Sequence, residues 1–158
     1  MDAAAQSVFD NEGSAGVDGV SIEEFKDNYK FNMRELHRQM IEDRYEPSPV
    51  LRVLIPKGKN RMRPLGIPTV KDRIAQETVR RIVEPIFEKI FCECSYGFRP
   101  GKSAFDAIAK LEEYREQGYK WVVDADIKGY FDNIDQDLLM DFVTQRINDG
   151  WVLRMIRS

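Results

Sequence analysis

Apolar residues recur at helical spacing through Ile22, Phe25, Tyr29, Met33, Leu36 and Met40, and Ser21 followed three residues later by Glu24 has the form of a capping box. This predicts one long helix running toward Pro47. The β-branched run VLRVLIP (50–56) predicts a strand, GKNR (58–61) a turn, and RPLGIP (63–68) a second extended piece, so the three together read as a hairpin. Ile74, Val79, Ile82, Ile86 and Ile90 predict a second helix from about residue 71 to 91, bent at Pro85, which has no backbone donor. SYGFRPG (95–101) is a loop; Ser103 then opens a helix that runs to Gln117 and stops at Gly118. WVVDADIKG (121–129) is the most strand-like run of the chain. Asp135 caps a last amphipathic helix bearing Leu138, Leu139, Phe142, Val143 and Ile147. The order helix, hairpin, helix, helix, strand, helix predicts an α+β fold with no internal repeat and no linker.

Composition bounds the class. With 158 residues, 42% hydrophobic and 32% charged, the chain is long enough for one domain with a core and too mixed for a disordered tail. No apolar run approaches the roughly 20 residues needed to span a bilayer, and MDAAAQSVFD lacks the basic flank and apolar stretch of a secretory signal. A cytoplasmic protein with no membrane partner is expected. Two cysteines and one histidine cannot build a Cys/His zinc cage, so a metal would rest on carboxylates. Cys92 and Cys94 are expected as packing thiols. His37 is expected on a helix surface, and Trp121 and Phe142 in the core.

The net charge of −3 conceals a gradient. Arg52, Lys57, Lys59, Arg61, Arg63 and Lys71 fall within residues 50–71 with no acid among them, while both ends of the chain are acidic. Two readings fit this cluster. It binds phosphate, as counterion release favours, or it is a solvated hairpin kept soluble by its lysines.

On the predicted strand, a period of two puts Asp124, Asp126 and Lys128 on one face and Trp121, Val123, Ala125 and Ile127 on the other. Acids on a strand otherwise suited to burial call for a compensating cation; the alternative is an edge strand whose polar face meets water. Alternate strand residues lie about 6.6–7 Å apart, too far for this pair alone to hold two metal ions about 3.5–4 Å apart. A ligand from another strand is therefore expected. Two other motifs resemble sites. GFRPGKS (97–103) ends like a phosphate-binding loop, but Gly97 and Gly101 enclose three residues where that loop needs four. The DAD triplet (124–126) also fits the metal motif of nucleotide-sugar glycosyltransferases, which leaves the cationic hairpin unaccounted for.

Four segments, in order, resemble the reverse transcriptases encoded by group II introns, often called intron maturases. NEGSAGVDGVSIEEF (11–25) resembles their N-terminal extension motif and RPLGIPTVKDRIAQETV (63–79) the second conserved block of the fingers. SYGFRPGKSAFDAI (95–108) resembles the insertion between the second and third blocks, and VVDADIKGYFDNIDQDLL (122–139) the palm block with the first catalytic aspartate. Phe105 departs from the His found in many relatives. The resemblance implies part of a right-hand polymerase: N-terminal extension and fingers over 1–96, then the fingers/palm insertion and the first part of the palm over 97–158.

By the same resemblance, Asp126 is the catalytic aspartate that binds both Mg2+ ions, with the main-chain carbonyl of Ile127 as a further ligand. Lys57 and Arg63 hold the incoming dNTP triphosphate, and Phe131 blocks a nucleotide 2′-hydroxyl. Ile67 and Pro68 pack on the templating nucleotide, while Arg52, Lys59, Arg61, Arg73, Arg99 and Lys102 contact the nucleic-acid backbone. The implied partners are an intron RNA template and a DNA primer. The family's second catalytic motif, Tyr-Ala-Asp-Asp, does not occur before Ser158, so the two-metal site is expected to be incomplete and the chain alone inactive as an RNA-directed DNA polymerase. The competing reading is a non-catalytic RNA-binding module that serves as a splicing cofactor, and uncovered apolar surface leaves self-association open.

Overall fold

The signature at Ser21 caps a helix as expected. In the computed structural model of the chain, which describes residues 1–58 and 62–158, Glu24 N donates to Ser21 Oγ at 3.2 Å and Ser21 N donates to the Glu24 carboxylate at 2.8 Å. The helix so opened, α2 (Ile22–Asp27), stops far short of the predicted length. Asn28 leaves helical geometry at φ −112° and ψ 27°, and α3 (Tyr29–Ile41) begins immediately after it. Asn32 Nδ2 donates at 3.0 Å to the Phe25 carbonyl, satisfying an acceptor freed by the break. The kink lets both helices meet α1 (Asp2–Asp10), whose Phe9 ring lies 6.2 Å from Phe25 and 6.1 Å from Tyr29. No hydrophobic period announces α1, because its buried face includes Ala4 and Ala5. Those small residues let it lie closely along α4 (Val70–Phe87).

The main core joins Val8, Phe9, Phe25, Leu36, Met40 and Ile74 from these four helices. Complete burial of side chains such as Leu36 and Ile74 stabilises the fold by about 1.5–3 kcal/mol each. The predicted hairpin forms between α3 and α4: β1 (Leu51–Pro56) pairs antiparallel with β2 (Met62–Ile67), from Leu51 opposite Ile67 to Pro56 opposite Met62. Pro85 is accommodated within α4, which ends at Phe87 rather than near residue 91.

The second half of the chain returns to this body. α6 (Gln136–Thr144), capped by Asp135 as predicted, and α7 (Gly150–Arg157) bury Val143, Ile147 and Val152 against Val83 and Phe87 of α4. Trp151 Nε1 donates to the Met40 carbonyl at 2.7 Å, and Arg154 pairs with Asp43 at 2.7 Å. These contacts fasten α7 to the end of α3 across more than a hundred residues of sequence.

Two expectations need correction. Residues 121–127 carry no β-ladder among the described residues, and Trp121 is 95% exposed. Alternation specifies an extended backbone, but a strand also needs a paired edge and a covered face, and neither is supplied here. Phe142 is exposed for the same reason: nothing among the described residues covers its side of α6. α5 (Ala104–Glu116) buries no residue at all. Its Ile108, Leu111 and Tyr114 line, with Tyr119, Trp121 and Val122, an open cleft of ≈ 960 Å³. His37 lies on the surface as expected. Among the described residues no helix is long and apolar enough to cross a membrane.

Candidate nucleic-acid interface

The hairpin presents its cations outward. Cross-strand partners share a face, so Arg63 stands beside Ile55 with Val53 and Leu65, and continuing the alternation one residue past β1 brings Lys57 to that same face. Arg52 pairs with Gly66 on the opposite face. Arg52, Lys57 and Arg63 are all exposed. Lys59 and Arg61 lie outside the described residues. Ile67 and Pro68, at the root of β2, are half-buried.

What holds this root in place is a buried carboxylate that the sequence pattern does not single out. Asp72, 1% exposed in the first turn of α4, accepts from Tyr45 Oη at 2.8 Å, Ser48 N at 3.1 Å and Thr69 Oγ1 at 2.7 Å. It thereby ties the segment entering β1 to the segment leaving β2. Burial and the neighbouring carboxylate push the Tyr45 phenol well above its ordinary range. Thr69 in turn caps α4, accepting from Asp72 N at 3.1 Å. The available signal was the Thr-x-x-Asp spacing of a helix cap; its burial, and the reach to Tyr45, were not readable.

From the other side the loop between α1 and α2 lies on the same turn. A Cβ added at Gly16 would stand 2.7 Å from Thr69 Cα and N, and one at Gly13 would stand 2.0 Å from Arg73 Nη1. Arg73 donates through Nη2 to the Ser14 carbonyl at 2.7 Å, and its desolvated guanidinium is held below the usual arginine range. Arg73, expected on the nucleic acid, therefore also anchors the N-terminal loop over the hairpin root.

Arg99 is committed inside the chain. It engages the Glu88 carboxylate through Nε and Nη2, the latter at 2.6 Å, and donates through Nη1 to the carbonyls of Cys92 and Ser95 at 2.7 and 3.0 Å. With its side chain 9% exposed, it organises the 92–101 turn, and these bonds occupy donors that a phosphate would also call on. Lys102 is exposed, 5.2 Å above the Tyr96 ring. Ser103 and Asp106 form a reciprocal cap at the start of α5, so the Asp106 carboxylate occupies the helix end where a phosphate-binding loop would hold its anion.

Asp124, Asp126 and Ile127 are exposed on the segment 121–128, and Asp126 makes no hydrogen bond or ion pair among the described residues. The chain turns at Gly129, whose φ of +62° suits glycine, and Asn133 Nδ2 donates to its carbonyl at 2.7 Å. The turn carries Phe131, 84% exposed and edge-on to Tyr130 at 5.3 Å. The Asp126 carboxylate and Ile127 carbonyl are hard oxygen donors of the kind Mg2+ prefers. They fit such an ion in kind but not in number, because no cluster of three or more ligating side chains occurs among the described residues. The structure thus brings Lys57, Arg63, Ile67 and Pro68 together on one pinned element, with Asp126, Ile127 and Phe131 on a separate exposed segment.

A family model described as reverse transcriptase (RNA-dependent DNA polymerase) matches residues 55–157. Group II intron-encoded protein LtrA of Lactococcus lactis subsp. cremoris is 38% identical over 156 residues, covering 97% of this chain and 25% of that protein. Protein YkfC of Escherichia coli (strain K12) is 37% identical over 145 residues, 89% of this chain and 38% of that protein. Nuclear intron maturase 1, mitochondrial, of Arabidopsis thaliana is 33% identical over 91 residues, 58% of this chain and 13% of that protein. The chain spans 38% or less of the length of these curated relatives.

Proposed function

This chain belongs to the reverse transcriptase family, in its group II intron-encoded, maturase-type branch, and on that premise we propose that it forms the fingers and the opening of the palm of an RNA-directed DNA polymerase. Residues 1–96 supply the N-terminal extension and fingers, and 97–158 the insertion and first palm segment, of a right-hand enzyme acting in the cytoplasm on an intron RNA template and a DNA primer. The observation that carries this reading is the exposed Lys57 and Arg63 face on a hairpin pinned at its root by Asp72. A rigid cationic arm suits a dNTP triphosphate, and Arg63 offers a planar fork to its oxygens.

Ile67 and Pro68 then stack beneath the templating base, and Phe131 packs on the sugar so that hydrogen fits where a 2′-hydroxyl does not. Asp126 and the Ile127 carbonyl hold one side of a magnesium site whose remaining ligands come from polypeptide beyond this segment. A magnesium ion held there would supply Lewis-acid chemistry, favouring deprotonation of the primer 3′-hydroxyl and offsetting charge on the leaving pyrophosphate. Lys57 and Arg63 neutralise the triphosphate while the 3′-oxygen attacks the α-phosphorus. Alone, the chain binds RNA without polymerising, and its apolar cleft along α5 offers a surface for self-association.

Primer extension on RNA by the complete polypeptide tests this. Asp126→Ala should abolish dNTP incorporation and leave RNA affinity unchanged. Neutralising Lys57 and Arg63 should raise the KM for dNTP, while neutralising Arg52, Lys59 and Arg61 should weaken single-stranded RNA binding and reduce the log–log salt slope by about 0.7 for each phosphate no longer neutralised. Retained incorporation in the Asp126 variant refutes the catalytic assignment. RNA binding with no incorporation by the complete wild-type protein establishes the splicing-cofactor reading instead.

A further inference from the structure

Cys92 and Cys94 lie just beyond α4 as free thiols, both exposed, with their Sγ atoms 2.9 Å apart. They are not the packing thiols expected, since both meet solvent. Ser95 N donates to the Cys92 carbonyl at 3.0 Å, and the turn so closed brings both side chains to one side. The same carbonyl accepts from Arg99 Nη1, so the pair sits on an ordered turn. Neither thiol has a part in the polymerase reading.

We propose that Cys92 and Cys94 form a redox-active dithiol, which a low-molecular-weight disulfide oxidises to an intramolecular disulfide. The hydrogen bond between the two sulfurs holds the Cys92 thiol below the usual range and raises Cys94, which makes Cys92 the attacking sulfur. The Cys92 thiolate attacks one sulfur of the small disulfide, forming a mixed disulfide and expelling one thiolate. Cys94, losing its proton to solvent, attacks Cys92 Sγ and expels the second. Two protein thiols become one S–S bond, and the electron pair leaves as two small-molecule thiols. The nearness of the sulfurs favours ring closure over a lasting adduct, since the second attack is intramolecular.

The purified chain is equilibrated with glutathione and oxidised glutathione at graded ratios, quenched in acid, alkylated and weighed by intact mass spectrometry. Both alkylation labels should disappear together, leaving a monomer lighter by the pair of thiol hydrogens and free of glutathione. Cys94→Ser should instead trap glutathione on Cys92. Phenylarsine oxide, which condenses with paired thiols and releases water, should shield both thiols from alkylation in the wild type and leave the single thiol of Cys92→Ser or Cys94→Ser open to it. Two independent glutathione adducts, thiols that stay reduced under oxidising ratios, disulfide-linked dimers, or no protection by the arsenical would each overturn the proposal.

Discussion

Replacing Asp72 tests whether the hairpin is held from its root. The carboxylate is 1% exposed and receives three donors, from Tyr45, Ser48 and Thr69. In Asp72→Ala these lose their acceptor in a site water cannot easily reach, at about 1–3 kcal/mol for each stranded donor. Relief of the desolvation cost of a buried carboxylate offsets part of that sum. The net loss should be about 2–4 kcal/mol, which for a chain of this size lowers the melting temperature by roughly 4–16 °C. Asp72→Asn keeps the volume and one acceptor oxygen, so it should fall between Ala and wild type. Thermal unfolding by circular dichroism measures the loss, and amide hydrogen exchange at Ser48 reports where it acts. A melting temperature within about 1 °C of wild type, or unchanged Ser48 exchange, would refute the account of the root.

Three further outcomes follow from the same geometry. Gly16→Ala places a methyl group 2.7 Å from backbone atoms of Thr69, so the loop must shift, and calorimetry should register about 1–3 kcal/mol of lost stability. The Tyr45 phenol is raised by burial and by Asp72, so its contribution is fully present below the unfolded tyrosine pKa of about 10 and is lost as pH rises through the higher folded value. Stability measured by denaturant unfolding should therefore fall above about pH 10, and Tyr45→Phe should flatten that dependence. In the complete polymerase, Phe131→Ala should raise ribonucleotide use relative to deoxynucleotide use by about tenfold or more in single-nucleotide incorporation, and unchanged discrimination would remove Phe131 from the sugar site.

Local chemistry was written plainly in the residue order. The Ser21–Glu24 cap, the helix opened at Ser103, the hairpin of β1 and β2, and the Asp135 cap all depend on neighbours a few positions apart, so spacing suffices to specify them. The cationic cluster was legible as a run of basic residues with no acid among them, whereas alternation around Asp126 predicted a strand that does not form. Tertiary structure decided what depends on distant partners. The break at Asn28 follows from docking on α1, whose alanines carry no visible period, and α7 is fixed by Trp151 reaching the Met40 carbonyl. Asp72 becomes a root only when residues 45–48 return to it, and Arg99 is drawn into the 92–101 turn only because Glu88 and the Cys92 carbonyl surround it. Whether residues 121–127 form a strand is likewise not a property of their own alternation, because a β-ladder needs a second edge to receive its hydrogen bonds.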